Sequence, residues 1–139
     1  MKNRWKEDLK GLVGLNYIVF KNVPMKKSDH GPIIDLEPGT LEKLAAKAII
    51  EKRIGFRGKE IKFLRKALGL SLEKFAGKLG ITSGAVFKWE QKPDERLHPM
   101  NEVAVRSFVA EQLGIELSGQ FSQLLGNDTE PKELVLQAS

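Results

Sequence analysis

The sequence predicts a mainly α chain, with a small N-terminal β-hairpin unit followed by a domain of four to five helices. Three observations carry this reading. Apolar residues recur at helical spacing from Leu41 onward. Before them lies one short stretch of β-branched and aromatic residues, Leu15 to Phe20. Gly, Ser and Thr then punctuate the helical half where caps and stops are needed. The length of 139 residues suits one domain, or one small domain with an appendage, and 41% hydrophobic with 29% charged residues is ordinary for a globular chain.

The elements follow in order. Residues 1–10 are highly charged and read as a loose or partly helical start. Leu15 to Phe20 reads as a strand that Asn22-Val23-Pro24 ends. Lys26 to Gly31 then forms a turn, and Pro32 to Leu36 pairs back to complete a hairpin. Glu37-Pro38-Gly39 breaks the chain. Thr40 caps a helix over Leu41 to Arg53, with Glu42 in its first turn and Leu41, Leu44, Ala45, Ala48 and Ile49 on one face. Gly55 and Gly58 bracket the approach to the next helix, from about Lys59 to Ala67, with Ile61, Leu64 and Leu68 inward. Ser71 caps Leu72 to Leu79, Gly80 supplies a left-handed stop, and Thr82 or Ser83 caps a helix running to Glu90. A loop with two prolines, Gln91 to Pro99, precedes a helix from Met100 to Leu113 whose apolar side is Val103, Val105, Phe108, Val109 and Leu113. Ile115 to Leu125 reads as a last short helix. The predicted units are 1–56, 57–125 and a flexible acidic tail, 126–139.

Charge is distributed unevenly. The net charge is +5, and residues 114–139 hold one Lys against four acidic side chains, so the excess of Lys and Arg lies before that tail. Such a balance fits a polyanionic partner. The absence of cysteine excludes disulfides, thiol nucleophiles and cysteine zinc sites. No apolar run approaches the roughly 18 residues of a membrane span, so the expected setting is cytoplasmic.

The segment Gly69 to Glu90 carries the functional signal. Two short amphipathic helices flank the turn Gly80-Ile81-Thr82, with the small Ala76 where they cross and Ile81 and Val86 wedged between them. Leu72, Phe75 and Leu79 face the core, and Trp89 reads as a core residue at the base of the second helix. This is a helix-turn-helix layout, in which the second helix enters the DNA major groove.

Leu79, Gly80, Ile81, Thr82, Val86, Trp89 and Glu90 resemble the Cro/C1-type (XRE) helix-turn-helix family, over about Glu60 to Leu113. The resemblance implies an ion pair between Arg65 and Glu90. It also implies base contacts from the recognition helix Ser83–Trp89, at Ser83, Gly84 and Lys88, and Phe87 on the same solvent face is expected to touch a thymine methyl. Backbone contacts are expected from Ser71, Lys74, Thr82, Lys92 and Arg96. The function expected is sequence-specific binding of double-stranded DNA by a transcriptional regulator, a repressor, acting as a homodimer. Helix four and Ile115 to Leu125, with Phe108, Leu117 and Phe121, are the expected dimer surface.

Gly14-Leu15, Asn22-Val23-Pro24, Leu41-x-x-Leu44 and Glu60 to Lys66 are similar to zinc-finger-type regulators and antitoxins related to the MqsA family. That resemblance implies an alternative, an antitoxin that binds a toxin through residues 1–56 and autoregulates its operon. Such a partner would need an exposed apolar patch around Tyr17, Val19 and Met25. The zinc cysteines of that group are missing, since Ser28, Asp29 and His30 stand near their place, so no metal is expected. An enzyme is not expected either. Neither His30 nor His98 has a nucleophile partner, no Gly-rich phosphate loop is present, and no cofactor is implied.

Overall fold

The computed structural model describes residues 3–139. The described residues are 42% helix and 22% strand, with six helices and a four-stranded mixed sheet among them, and this corrects the mainly α expectation. They form two compact units, residues 3–45 with 131–139, and residues 46–130.

The first unit is the sheet. Its strands are β1 (Arg4–Lys10), β2 (Ile18–Ser28), β3 (Gly31–Ile34) and β4 (Leu134–Gln137). The charged start is therefore a strand: Trp5, Glu7 and Leu9 alternate with Arg4, Lys6, Asp8 and Lys10, and β1 pairs antiparallel with β2. β2 is central. On its other side β4 runs parallel to Ile18–Lys21, and β3 runs antiparallel to Met25–Ser28.

β2 also runs through the point where Asn22 and Pro24 were expected to end it, because those residues solve two local problems. Asn22 sits at φ 57 and adds one residue opposite Asp8. The Asp8 carboxylate accepts the Asn22 N–H (3.0 Å) and the Lys21 ammonium (3.1 Å). The Asn22 hydrogen bond, then Lys21, holds the Asp8 carboxyl below its ordinary pKa. The extra residue keeps Ile18, Phe20, Val23 and Met25 all on the buried face. Pro24 falls between the segments paired by β4 and β3, where no ladder N–H is required.

β4 alternates buried Leu134 and Leu136 with exposed Val135 and Gln137, so the end of the acidic tail joins a sheet and is not a flexible appendage. Tyr17, Val19 and Met25 are buried, not the exposed patch a protein partner would need. Asp29 and His30 form the β2–β3 turn, which Ser28 Oγ closes by donating to the Gly31 carbonyl (2.5 Å). Among the described residues no group of His, Cys, Asp and Glu is placed to hold a metal ion.

Helix α1 (Thr40–Glu51) contains the division between the units. Thr40 begins it as a donor, its hydroxyl bonding the Glu37 carbonyl at 2.7 Å, and does not act as the expected accepting cap. The second unit continues with α2 (Gly58–Ala67), α3 (Leu72–Leu79), α4 (Ser83–Glu90), α5 (Pro99–Leu113) and α6 (Phe121–Leu124). Only four residues of the expected Ile115–Leu125 helix are helical. Ile49, Ile50, Phe56, Ile61, Leu64, Phe75, Val86, Val105 and Val109 form its core.

α5 is rotated from the expected setting. Glu102 and Arg106 point inward with Val105, Val109 and Ala110, while Val103, Phe108 and Leu113 lie at its margins. The reason is a buried polar cluster. Glu102 Oε1 accepts Arg96 Nε (2.6 Å) and the Phe56 N–H (3.0 Å). Its Oε2 accepts the Gly126 N–H (2.6 Å), Arg96 Nη2 (3.0 Å) and Arg106 Nη2 (3.4 Å). Arg106 also donates to the Ile54 carbonyl (2.6 Å) and lies 4.3 Å from the centre of the Phe56 ring. Gly55 and Gly126 pass so close to each other and to these guanidinium groups that a Cβ on either would collide.

Two predictions follow from this packing. Asn22→Gly should fold as well as the parent, whereas Asn22→Val should lose about 1–2 kcal/mol in urea unfolding, because a β-branched residue resists positive φ. Burial works to raise the Glu102 pKa, but hydrogen bonds from Arg96, Gly126 and Phe56 outweigh it and leave the carboxyl below its ordinary 4.5. The folded state therefore binds this proton less readily than the unfolded chain. Its stabilising contribution should be full above pH 4.5 and decline as pH falls toward and through the lowered value. Acid titration followed by circular dichroism should show this decline flattened in Glu102→Gln.

Candidate nucleic-acid interface

α3 and α4 are separated by three residues, and each boundary has a local cause. Ser71 Oγ accepts the Lys74 N–H at 3.1 Å and starts α3. Gly80, at φ 72, ends it, and the Ile81 N–H returns to the Ala76 carbonyl at 3.0 Å. Thr82 Oγ1 accepts the Ala85 N–H at 3.2 Å and starts α4. Ala76 and Val86 are buried where the helices meet.

The rear of α4 is pinned. Arg65 on α2 and Glu90 form a two-pronged pair, with Nε to Oε2 at 2.7 Å and Nη2 to Oε1 at 2.9 Å. The side chains are 12% and 6% exposed, so the pair is shielded from solvent. Hydrogen bonding to Glu90 outweighs burial and holds the Arg65 guanidinium above its ordinary pKa. Its third nitrogen, Nη1, donates to the Leu70 carbonyl at 2.9 Å, which ties the α2–α3 turn into the same contact. Gly58 lies against the Trp89 and Lys92 carbonyls, where no side chain fits.

The front of α4 is free. Gly84, Phe87 and Lys88 are exposed, share one helical face, and Phe87 retains 50% of its surface. Ser83 is half-buried, and Trp89 is half-buried instead of fully internal. A Cβ on Gly84 would meet only Thr82 Oγ1, at 3.9 Å, so its bareness leaves room for a close approach. The hydroxyls of Ser71 and Thr82 serve as helix caps. Lys74 and Lys92 are exposed, with Lys92 Nζ 3.7 Å from Glu95. A cleft of about 220 Å³ follows α4, lined in part by Lys88, Lys92, His98 and Asn101. His98 Nδ1 accepts the Met100 N–H at 3.2 Å and caps α5.

Arg96, one of the expected backbone contacts, is engaged within the chain. Besides Glu102, it donates to the Asn127 and Gly126 carbonyls (both 3.0 Å) and to Asp128 (3.4 Å), so all three guanidinium nitrogens are committed internally. The cluster of Arg96, Glu102 and Arg106 was not read from the sequence. Its one local signal is the spacing of Glu102 and Arg106, four apart on the apolar side of a helix. Of the expected dimer surface, Phe121 is 48% exposed, whereas Phe108 packs edge-on against Phe75 with ring centres 6.0 Å apart. No described helix is long and apolar enough to cross a membrane.

Comparison of the chain with protein-family models, curated protein sequences and solved structures finds no match.

Removing Arg65 leaves Glu90 charged in a site largely closed to water. Arg65→Ala should lower unfolding free energy by about 3–5 kcal/mol. Arg65→Lys should recover only part of it, since an ammonium cannot make the two-pronged contact. Chemical denaturation of the three proteins measures both differences.

Proposed function

We propose that the protein binds double-stranded DNA sequence-specifically and acts as a transcriptional regulator, a repressor, with α4 as the reading helix. The observation that carries the reading is the asymmetry of α4. Its rear is fixed by Val86 and the Arg65–Glu90 pair, and its front presents Gly84, Phe87 and Lys88 with nothing packed over them. A helix held rigidly and bare along one face is what entry into a major groove requires.

In this reading Lys88 donates to guanine O6 and N7, and Phe87 contacts a thymine methyl. Gly84 lets the helix backbone approach the base edges and shifts weight to the shape of the site. Lys74 and Lys92 contact phosphates and set register without reading sequence. Ser71 and Thr82 contribute through the amides of the helices they cap, and Arg96 has no part in the contact. The resemblance to Cro/C1-type proteins supports the same assignment and a homodimer on paired half-sites.

Selection of bound sequences from random duplex DNA tests the reading, with the winner's affinity followed against salt. A palindromic winner with a steep salt slope is expected. Lys88→Ala should narrow the preference for that winner over random DNA by about 10- to 100-fold. Lys92→Ala should weaken all sequences alike and lower the salt slope by about one. Absence of any enriched sequence at low salt, or equal losses on cognate and random DNA for both variants, would refute it.

A further inference from the structure

The outer face of the sheet is a second charged surface, unrelated to the reading helix. Strand register places its residues unambiguously. Arg4 stands opposite Lys26, Lys6 opposite Pro24, and Lys10 opposite Val19. Lys21 joins them, two residues beyond Val19 on β2. The opposite face carries Ile18, Phe20, Val23 and Met25 and is buried, so the cations share the other side, where Val19 is buried but Arg4, Lys6 and Lys10 are exposed and Lys21 and Lys26 half-exposed. Asp8 neutralises Lys21, and Asp35 is shared between Arg4 and Lys26. Among the described residues no acid pairs with Lys6 or Lys10, and both are exposed. The face thus keeps a positive excess, centred on β1.

We propose that this face binds the phosphate backbone of duplex nucleic acid, independently of base sequence, with Lys6 and Lys10 as its principal contacts. Three features select that occupant. The charge is of the right sign, and Arg4, Lys6 and Lys10 lie in a row along one strand, interrupted only by Asp8, which Lys21 neutralises. Four of the five cations are lysines, which phosphates accept readily and which the cores of protein–protein interfaces disfavour. No aromatic side chain lies on this side of the paired strands, so the stacking platforms of single-strand binders are missing from it. The exposed apolar residues, Ile33 (42%) and Val135 (45%), lie across β2 from β1, away from Lys6 and Lys10. The inference stands on residues 4–35 and 134–137 alone and does not require the proposed function to hold.

The test uses the full chain and a random-sequence duplex of 20 base pairs, with binding measured by fluorescence anisotropy from 50 to 200 mM salt. Lys6→Gln/Lys10→Gln should lower the slope of log affinity against log salt by about two and weaken binding at 100 mM salt about tenfold. Lys6→Arg/Lys10→Arg should retain the parent's slope, and thermal unfolding of both variants should match the parent. A slope unchanged in the Gln variant would overturn the proposal. So would an unchanged slope accompanied by loss of an acidic protein that the parent retains. Failure of the reading-helix assignment appears separately, as no enriched sequence in selection, and leaves this measurement intact.

Discussion

The second unit depends on one carboxylate. Glu102 receives five donors from three separated parts of the chain: the Phe56 amide, the Gly126 amide, and the guanidinium groups of Arg96 and Arg106. A buried charge is costly unless every lone pair is occupied, and here the occupancy is what fastens the loops before α2 and after α6 to the start of α5. The glycines follow from it. Gly55 and Gly126 approach each other and the two arginines closely enough that neither tolerates a Cβ. Arg96 is drawn inward by the same demand, leaving its side chain 26% exposed. Arg106 illustrates the cost: its Nε and Nη1 are buried without a hydrogen-bond partner, and desolvation pulls its pKa down.

Helix α4 is fixed on one side and open on the other. The Arg65–Glu90 pair and the close approach of Gly58 to the backbone at Trp89 fix the far end of α4. The helix front is left to the exposed Gly84, Phe87 and Lys88. Under the DNA-binding proposal, orientation is a property of buried groups and sequence choice a property of exposed ones. The two should then vary with little mutual interference.

The parts legible in the sequence are those with local causes. The α3–turn–α4 segment could be placed because Ser71, Gly80 and Thr82 act within four residues of themselves. β1 was illegible because Arg4–Lys10 alternates mostly charged residues, and a strand at a sheet edge shows little apolar signal. β2 was cut short because Asn22 and Pro24 read as terminators until their partners are known: Asp8 fourteen residues away, and the gap between two neighbouring strands. β4 is four residues long, and its pairing partner lies more than a hundred residues earlier. Glu102 and Arg106 break the apolar pattern of α5, and only the distant Phe56 and Gly126 amides explain why they can.

That last strand also bears on how the protein is made. β4 lies beside Ile18–Lys21, so all of residues 46–130 come, in sequence, between the first strands of the sheet and its last. During synthesis the second unit is wholly translated before the sheet can be completed. The N-terminal unit is thus the one that waits for the C-terminal residues to be complete. Until Leu134 and Leu136 arrive, β2 waits with the Ile18–Lys21 edge open, a template for a neighbouring nascent chain.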